Sequence, residues 1–350
     1  MRILQLIDTL QPGGAERMAV NYANSLAEIG FHSFLVVTRD EGVFKELLDP
    51  KVEYLYLNKK HRIDYIALNK LIRYIKDNQI ELIHAHGSSW FFAVLAKFLN
   101  KNLKLVWHDH YGKSEFLKNR EIQPLRYFSK DFDGIISVNE KLKGWSLEKL
   151  LCEKVVFLNN FIQIPSKPLT ALHEIESGFE LVCIANFRAQ KDHFTLFEAC
   201  DRVNKEYNIR LNLIGKSFDD SYSQKVKEEI NARKYIKYHG ELSDPSKILS
   251  NMHVGLLSSR SEGLPLAILE YGANSLAVVC TEVGENKNVV GDHAILVPPG
   301  NIDALESGIV RYLENNNKRI REGGSLQAKI IKEYSNKSVI QEYRQFVDNL

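Results

Sequence analysis

The sequence predicts an α/β protein made of two similar doubly wound domains, each with a parallel sheet flanked by helices. Short apolar strands alternate with helical segments along the chain, and the alternation is interrupted once near the middle. The length of 350 residues also suits two domains with ample core in each. Because doubly wound sheets bind ligands at the carboxyl ends of their strands, candidate site residues are sought in the following loops.

The first domain begins with a strand, a glycine loop and a helix. An apolar run over residues 3–8 precedes Gly13 and Gly14, and apolar residues then recur at helical spacing from 15 to 29. Further predicted strands cover residues 33–38, 53–57, 81–84, 103–108 and 134–138, with helices at 65–77 and 90–99. We assign residues 1–163 to this N-terminal domain.

Two prolines and a polar stretch interrupt the pattern over residues 161–178, where we place the interdomain linker. A second series follows, with a helix at 194–204 and strands at 179–185, 210–214, 236–239, 254–258, 277–280 and 294–297. This series predicts a C-terminal domain over residues 178–328. Residues 329–350 are charged with a helical pattern, and we expect them to pack back on the N-terminal domain.

The composition excludes disordered, collagen-like and coiled-coil proteins, because 44% of the residues are hydrophobic and only 9 are proline. No run approaches the roughly 18 apolar residues needed to cross a bilayer. The N-terminus reaches glycine and charge too early for a signal peptide, so we expect a cytoplasmic protein. The cysteines form no Cys-x-x-Cys pair and are predicted to be reduced core residues: Cys152, Cys183, Cys200 and Cys280.

Charge is divided unevenly between the two halves. Residues 1–165 carry 23 Lys+Arg and 19 Asp+Glu, a net charge of +4, whereas the remainder carries 23 and 25, a net charge of −2. This excess is too small for a nucleic-acid-binding domain. Together with the basic run over residues 59–62, it suits a phosphate-bearing acceptor or peripheral contact with the inner face of the plasma membrane; a solvated surface is the alternative.

The segment SSRSEGLPLAILEYGA, residues 258–273, carries the clearest candidate site. Glu262 stands in a serine-rich loop, Gly263 and Pro265 shape a turn, and a helical pattern begins at Leu266. A helix N-terminus presents backbone N–H groups and a positive dipole end, which suit a diphosphate. Glu270 follows Glu262 by eight residues, about two turns, so we expect both carboxylates to face one cleft and to accept hydrogen bonds from sugar hydroxyls.

A second candidate element lies just after the strand that opens the second domain. Arg188 offers a planar fork for phosphate oxygens and Lys191 a point charge. We expect both to neutralise a bound diphosphate. An ordinary solvated loop is the alternative.

Two His-x-His pairs, His84 with His86 and His108 with His110, each end a predicted strand. Residues i and i+2 share a strand face, so the four imidazoles could bind a metal, as in a metal-dependent hydrolase. The pair Asp131 and Asp133 also has a spacing used for metals, but it directly precedes an apolar strand and is interpreted as a turn.

The segment from Glu262 to Glu270 resembles the Glu-x7-Glu signature of family 4 of the retaining glycosyltransferases, whose GT-B architecture has two Rossmann-like domains facing across a cleft. The loop at Gly13 and Gly14 resembles the family's N-terminal glycine loop, and Gly284 a glycine turn near the donor. The family usually places an arginine five residues before the lysine, where this chain has Asn186, so Arg188 departs from that pattern.

The resemblance implies roles for individual residues. Glu262 would contact the donor sugar, Glu270 the ribose, and His110 the donor sugar and the attacking hydroxyl, while Lys191 and Arg188 would hold the diphosphate. Further donor contacts would come from Gly13 and Gly14 and from the turn formed by Gly263, Leu264, Pro265 and Leu266.

The implied reaction transfers a sugar from a UDP-sugar or GDP-sugar to a hydroxyl of a glycan or polyprenyl-linked acceptor, in bacterial surface polysaccharide synthesis. No obligatory metal is expected, because Lys191, Arg188 and the helix terminus would stabilise the leaving diphosphate. Three alternatives stay open: a metal-dependent hydrolase, a non-catalytic nucleotide-binding module, and a GT-B sugar-nucleotide epimerase.

Overall fold

A computed structural model describes residues 1–112, 114–164 and 178–350, and the chain divides into two compact units. Unit 1 comprises Met1–Gln163 together with Asn336–Leu350, and unit 2 comprises Ile164–Ser335. Most of the predicted linker, residues 165–177, lies outside the described residues.

Unit 1 contains a seven-stranded parallel sheet in the order β3-β2-β1-β4-β5-β6-β7. Its strands are β1 (Arg2–Thr9), β2 (His32–Asp40), β3 (Glu53–Tyr56), β4 (Leu82–His86), β5 (Lys104–Asp109), β6 (Gly134–Ser137) and β7 (Val155–Phe157). Its α-helices are α1 (Gly14–Glu28), α2 (Tyr65–Asp77), α3 (Trp90–Leu99), α4 (Leu125–Phe128), α5 (Glu140–Lys149) and, from the chain end, α13 (Asn336–Asp348). Short 3-10 turns cover Val43–Leu47, Gly87–Ser89, Ser114–Asn119 and Ser129–Asp131.

Helices cover both faces of this sheet, which explains why its strands are nearly continuous apolar runs in the sequence. Phe34 and Val36 of β2 belong to one buried cluster with α2 and α3, whereas Leu35 and Val37 belong to another cluster with α1. The period-two alternation of a strand thus sends neighbouring side chains into two separate cores. Asp64 caps α2 by accepting a hydrogen bond from the backbone N–H of Ala67.

Unit 2 contains a six-stranded parallel sheet in the order β10-β9-β8-β11-β12-β13. Its strands are β8 (Phe179–Ile184), β9 (Ile209–Ile214), β10 (Ile236–Tyr238), β11 (Val254–Leu257), β12 (Ala277–Thr281) and β13 (Ile295–Val297). Its α-helices are α6 (His193–Val203), α7 (Ser221–Asn231), α8 (Ser246–Leu249), α9 (Leu266–Ala273), α10 (Asn286–Val290), α11 (Ile302–Glu314) and α12 (Asn316–Glu333), and a 3-10 turn covers Ala189–Lys191. The predicted α/β class with two parallel sheets is confirmed.

The sequence analysis did not predict several helices, α5, α7 and α11 among them, and it differs from the structure at one strand and at the chain end. Strand β7 (Val155–Phe157) was not predicted, because three half-buried residues give too short a pattern. The predicted start of the final segment at residue 329 is wrong: α12 continues to Glu333, packs on α9 and β12, and belongs to unit 2. The helix that belongs to unit 1 is α13, which packs against α1. Both helices have many charged surface residues, so the sequence pattern does not reveal the break between them.

The four cysteines are buried and unpaired, as predicted. Across residues 1–112, 114–164 and 178–350, no helix combines the length and the apolar character that crossing a bilayer requires.

Candidate functional site

In unit 2, the candidate residues lie in two loops at the carboxyl ends of adjacent strands. β8 pairs with β11 in the sheet. The loop after β8 carries Lys191, and the loop after β11 carries Glu262. Because parallel neighbours end at the same edge of a sheet, residues 71 positions apart in sequence meet there.

Lys191 and Glu262 form an ion pair at this edge. The Nζ of Lys191 lies 2.5 Å from Oε1 of Glu262, and the hydroxyl of Ser259 donates a 2.6 Å hydrogen bond to the same oxygen. Glu262 is only 6% exposed, so its carboxylate is held in place rather than solvated. The ammonium and the hydroxyl thus both bind the same carboxylate oxygen.

Further hydrogen bonds tie the two loops together. The Ser258 hydroxyl donates to the carbonyl oxygen of Lys191 at 3.0 Å, and the backbone N–H of Arg260 donates to that of Gln190 at 2.7 Å. Arg260 Nε also donates to Asp192 Oδ2 at 2.6 Å. The sequence analysis did not identify Ser259, Arg260 or Asp192, although the serine-rich spacing before Glu262 was the available signal.

The turn after Glu262 is buried and depends on a glycine from the next strand's loop. Gly284 has a φ of +53°, and a Cβ built on it would lie 2.3 Å from the carbonyl oxygen of Glu262. The backbone N–H of Glu285 donates to the carbonyl oxygen of Gly263 at 3.0 Å. Leu264 and Pro265 are buried beside it, and α9 begins at Leu266. This places a helix N-terminus directly after the ion pair.

The helical argument for the two glutamates needs correction. Because α9 starts only at Leu266, Glu262 lies in the loop and its direction is not set by helical periodicity. Glu270 does lie on α9, half-buried, next to Tyr271, whose hydroxyl accepts a 2.6 Å hydrogen bond from the backbone N–H of Ile184 in β8. That bond fixes α9 against the sheet.

Arg188 contacts a different group. Its guanidinium carbon lies 4.8 Å from the ring centroid of Phe218, and the side chain is exposed. Its carbonyl oxygen accepts a hydrogen bond from the backbone N–H of Lys191 at 2.8 Å. Arg188 therefore shapes the loop that carries Lys191, while its charge is directed to an aromatic ring.

In unit 1, His86 connects His110 to Gln5. His86 Nε2 lies 2.8 Å from Gln5 Oε1, and His86 Nδ1 lies 3.0 Å from His110 Nε2. Since the amide oxygen only accepts, His86 Nε2 carries the hydrogen in this arrangement, so its Nδ1 must accept from His110 Nε2–H. The Nδ1 of His110 is then left as an acceptor, and Gln5 is a positioning residue that the sequence analysis did not identify.

Burial lowers the pKa of His110 to about 3 and the pKa of His84, His86 and His108 well below the usual value for histidine. All four imidazoles are therefore neutral near pH 7. His84 Nε2 and His108 Nδ1 lie 3.1 Å apart, so these two form a buried hydrogen-bonded pair.

Ring nitrogens of His84, His86 and His108 lie within 4.8 Å of one another, a spacing that could accommodate a metal ion. Both nitrogens of His86 are already engaged, however, and so are the facing nitrogens of His84 and His108. Binding three ligands would require breaking this network, and the geometry gives the metal-dependent hydrolase no support.

The remaining residues singled out by the sequence analysis lie at the ends of secondary-structure elements. Gly13 ends the loop before α1, where its carbonyl oxygen accepts a hydrogen bond from Arg17 N–H at 2.9 Å, and Gly14 is the first residue of that helix. Asp133 accepts hydrogen bonds from the backbone N–H of Leu105 at 2.6 Å and from Lys97 Nζ, and it lies between the 3-10 turn Ser129–Asp131 and β6. Gly13, Gly14 and His110 belong to unit 1, and the Lys191–Glu262 pair to unit 2.

Comparison with known families decides what these two units are. Residues 12–164 match the family described as Glycosyltransferase Family 4, and residues 178–315 match Glycosyl transferases group 1. The chain belongs to these glycosyltransferases. Its two parallel sheets are those of the GT-B architecture.

Individual relatives cover nearly the whole glycosyltransferase. It is 23% identical to the capsular polysaccharide biosynthesis glycosyltransferase CapH of Staphylococcus aureus, over 83% of each chain. It is 22% identical to a Campylobacter jejuni N-acetylgalactosaminyltransferase named for a diphospho-undecaprenol acceptor, over 89% of this chain and 90% of that one. The crystal structure of Anabaena HepE with UDP and glucose has a TM-score of 0.82, 18% identity and full coverage of both chains, which shows a shared fold.

Proposed function

We propose that this glycosyltransferase moves a sugar from a nucleoside diphosphate sugar to a hydroxyl of a glycan or lipid-linked acceptor, with retention of the anomeric configuration. The observation that carries the proposal is the Lys191–Glu262 ion pair beside the N-terminus of α9. A sugar nucleotide needs both positive charge for its diphosphate and a fixed carboxylate for its sugar, and this edge of unit 2 supplies both.

The ion pair resolves an electrostatic conflict. A carboxylate that accepts hydrogen bonds from sugar hydroxyls repels a nearby diphosphate, but the Lys191 ammonium at 2.5 Å neutralises that repulsion. The first turn of α9 adds backbone N–H donors without intrahelical partners. In this proposal the turn from Gly263 to Leu266 binds the diphosphate, Glu262 binds the sugar, and Glu270 binds the ribose.

In this proposal, catalysis depends on stabilising the departing diphosphate. As the bond between the anomeric carbon and the diphosphate oxygen breaks, negative charge grows on the diphosphate, where Lys191 and the helix N-terminus stabilise it. The acceptor hydroxyl attacks from the same face, and its proton passes to the departing phosphate oxygen, so no side chain forms a covalent bond to the sugar. Positive charge from the protein replaces a divalent metal, and the reaction proceeds without one.

His110 acts as an acceptor toward the substrate. Its neutral imidazole, with Nε2–H donating to His86, leaves Nδ1 to accept a hydrogen bond from a sugar hydroxyl. It orients the sugar and does not take the proton, because burial has lowered its pKa to about 3.

The names of the relatives support the acceptor class. CapH is named for capsular polysaccharide biosynthesis and the Campylobacter enzyme for an acceptor on diphospho-undecaprenol. We infer a role in bacterial surface polysaccharide synthesis, on the cytoplasmic side of the plasma membrane. Because HepE was crystallised with UDP, UDP-sugars are the first donors to test and GDP-sugars the second.

The test is turnover followed by proton NMR. The protein is incubated with each UDP- or GDP-sugar and a polyprenyl-diphosphate glycan in EDTA, and the coupling constant of the new anomeric proton is compared with that of the donor. The proposal predicts a glycosylated acceptor with the donor's configuration. An inverted product would disprove retention, and conversion of the donor alone into an epimeric sugar nucleotide would instead indicate an epimerase.

A further inference from the structure

Asp192 has a backbone conformation that residues other than glycine rarely adopt. Its φ of +49° and ψ of +54° lie in the left-handed region, where the Cβ of an L-residue comes close to neighbouring backbone atoms. It directly follows Lys191 and is only 8% exposed. Strain of this kind persists where surrounding contacts impose it, and it is concentrated at functional sites. The contacts around Asp192 therefore bear on the function of the neighbouring lysine.

The left-handed residue separates two right-handed segments. Before it, the 3-10 turn Ala189–Lys191 is closed by a 3.2 Å hydrogen bond from the backbone N–H of Asp192 to the carbonyl oxygen of Ala189. After it, α6 begins at His193. Right-handed φ and ψ at Asp192 would instead continue the turn into α6 and place Lys191 within that helix. The conformation of one residue thus sets the direction in which Lys191 leaves the backbone.

The loop that carries Glu262 holds the backbone on both sides of Asp192. The hydroxyl of buried Ser258 lies 3.0 Å from the carbonyl oxygen of Lys191 and 3.1 Å from that of Asp192. These carbonyls belong to the two peptide groups that flank the left-handed residue, and they share the single hydroxyl hydrogen. One loop therefore fixes the backbone of Lys191 and also supplies its ion-pair partner.

The carboxylate of Asp192 provides a second attachment. Its Oδ2 accepts hydrogen bonds from the Thr195 hydroxyl in α6 at 2.8 Å and from Arg260 Nε at 2.6 Å. A Cβ built on Gly300, in the loop after β13, would lie 2.7 Å from both terminal nitrogens of Arg260, so the guanidinium also rests against that loop. Glycine at position 192 would adopt the left-handed conformation without strain but could not make these bonds. The aspartate side chain thus offsets the strain of its own backbone.

We propose that Asp192 is a positioning residue that directs the Lys191 ammonium toward Glu262 and toward a bound diphosphate. Arg260 contributes indirectly, through the carboxylate of Asp192. A misplacement of about 1 Å in a reacting geometry can lower a rate by up to about 100-fold, so the backbone beside Lys191 is part of the catalytic arrangement. The role of Lys191 in turnover rests on the proposed function, whereas the control of its position by Asp192 does not.

Two variants remove the contacts of Asp192. Asp192→Gly permits the left-handed conformation but loses both side-chain bonds, and Arg260→Met loses one of them. Matched controls are Gln79→Gly, at a residue of unit 1 with the same φ of +49°, and Arg210→Met, whose exposed guanidinium pairs with Glu180 at 3.2 Å. The Arg260 side chain is 56% exposed, so Arg260→Met keeps the fold if Asp192→Gly does not.

The first test measures the position of the Lys191 amine and needs no turnover. Each protein is labelled briefly with acetic anhydride, and acetylation of Lys191, whose side chain is 19% exposed, is measured by mass spectrometry relative to Lys227 on α7. An amine released from its ion pair reacts faster, so we expect at least about threefold faster labelling in Asp192→Gly and Arg260→Met but not in the two controls. Unchanged labelling in both site variants would overturn the proposal.

The second test is a double-mutant cycle in kcat/KM. Asp192→Gly should lower kcat/KM about tenfold or more, whereas Asp192→Asn, which tolerates the left-handed region and keeps an acceptor oxygen, should stay within about threefold of the wild type. In a Lys191→Ala background, Asp192→Gly should cause no further loss, because it acts only through the lysine. An equal loss in both backgrounds would overturn the proposal.

The two tests separate this inference from the proposed function. Full activity of Lys191→Ala would refute the proposed role of the lysine, and the labelling rates would still decide whether Asp192 positions it. Loss of activity in Lys191→Ala together with full activity in Asp192→Gly would refute only the role of Asp192.

Discussion

The Nζ of Lys191 lies 2.5 Å from the Oε1 of Glu262, although the two residues follow different strands. Each was predicted to contact a different part of a sugar nucleotide, the lysine its diphosphate and the glutamate its sugar. Their ion pair makes them one electrostatic unit, positioned by Ser259 on one side and the start of α9 on the other.

Replacing either member of this pair is expected to abolish most activity. Lys191→Ala removes the positive charge that stabilises the leaving diphosphate, so kcat/KM should fall by roughly 100-fold or more. Glu262→Gln keeps the shape of the side chain but weakens sugar binding and should lower kcat/KM in the same direction. Steady-state kinetics with the identified donor check both, with Lys227→Ala on α7 as the control.

Stability must be separated from catalysis in that experiment. Lys191→Ala leaves the buried Glu262 carboxylate without its cation, at a cost of about 3 kcal/mol in the free energy of unfolding. The double variant Lys191→Met with Glu262→Gln removes both charges and should recover stability without recovering activity. Recovery of activity together with stability would show that the pair is only structural.

Gly284→Ala is expected to disturb the donor turn. The new methyl group would meet the Glu262 carbonyl at 2.3 Å, and alanine is strained at a φ of +53°, so unit 2 should lose about 1–3 kcal/mol. Hydrogen exchange should become faster in the amides of residues 262–266. Gly324→Ala is the matched control, because it lies inside α12 with no atom within 4 Å of the new Cβ, and it should be neutral or stabilising.

Gln5→Leu tests the assignment of the histidine hydrogens. Loss of the amide oxygen removes the acceptor that fixes His86, so both orientations of the His86–His110 hydrogen bond become accessible. We expect kcat to fall about tenfold with KM little changed. Gln5→Glu, which keeps an acceptor, should rescue activity. Nitrogen-15 NMR of the imidazoles should show a hydrogen on His110 Nε2 in the wild type; one on Nδ1 would contradict the assignment.

The buried histidines predict that unit 1 loses stability as acidity increases. Burial lowers the pKa of His84, His86 and His108 in the folded state, whereas an unfolded histidine titrates near 6.5. The unfolded chain therefore binds more protons below about pH 6.5, and each such histidine reduces the free energy of unfolding by up to about 1.4 kcal/mol per pH unit as the pH falls.

Fluorescence can follow this loss selectively, because all three tryptophans, Trp90, Trp107 and Trp145, lie in unit 1. The urea midpoint of the fluorescence transition should fall between pH 7.5 and pH 5.5, and the fall should be smaller in His108→Gln. An unchanged midpoint across this range would mean that the histidines are not held neutral by the fold.

Periodicity was sufficient to predict most of the fold. Strands such as β1 and β12 are buried on both faces, and a continuous apolar run between glycine or polar loops identifies them without any tertiary information. Strand β7 was missed because three half-buried residues give too short a pattern, and the break between α12 and α13 because both helices carry many charged surface residues.

The sequence could identify residues of the site by their type and position, but it could not predict the contacts that these residues make. Glu262 and Lys191 could be selected because charge in a loop after a strand is typical of binding sites, yet their ion pair, 71 residues apart, depends on which strands are adjacent in the sheet. For the same reason, Gln5 could not be identified as a site residue from the sequence. It is an interior residue of an apolar strand, and only the pairing of β1 with β4 brings it beside His86.

The most direct test of the central claim is calorimetric titration of UDP, GDP and their sugars into the wild type, Lys191→Ala and Lys227→Ala, all in EDTA. The proposed donor site predicts that one nucleotide class binds without metal, and that its Kd rises about tenfold or more in Lys191→Ala but is unchanged in Lys227→Ala. Binding that requires a divalent metal, or equal Kd values for both lysine variants, would contradict it.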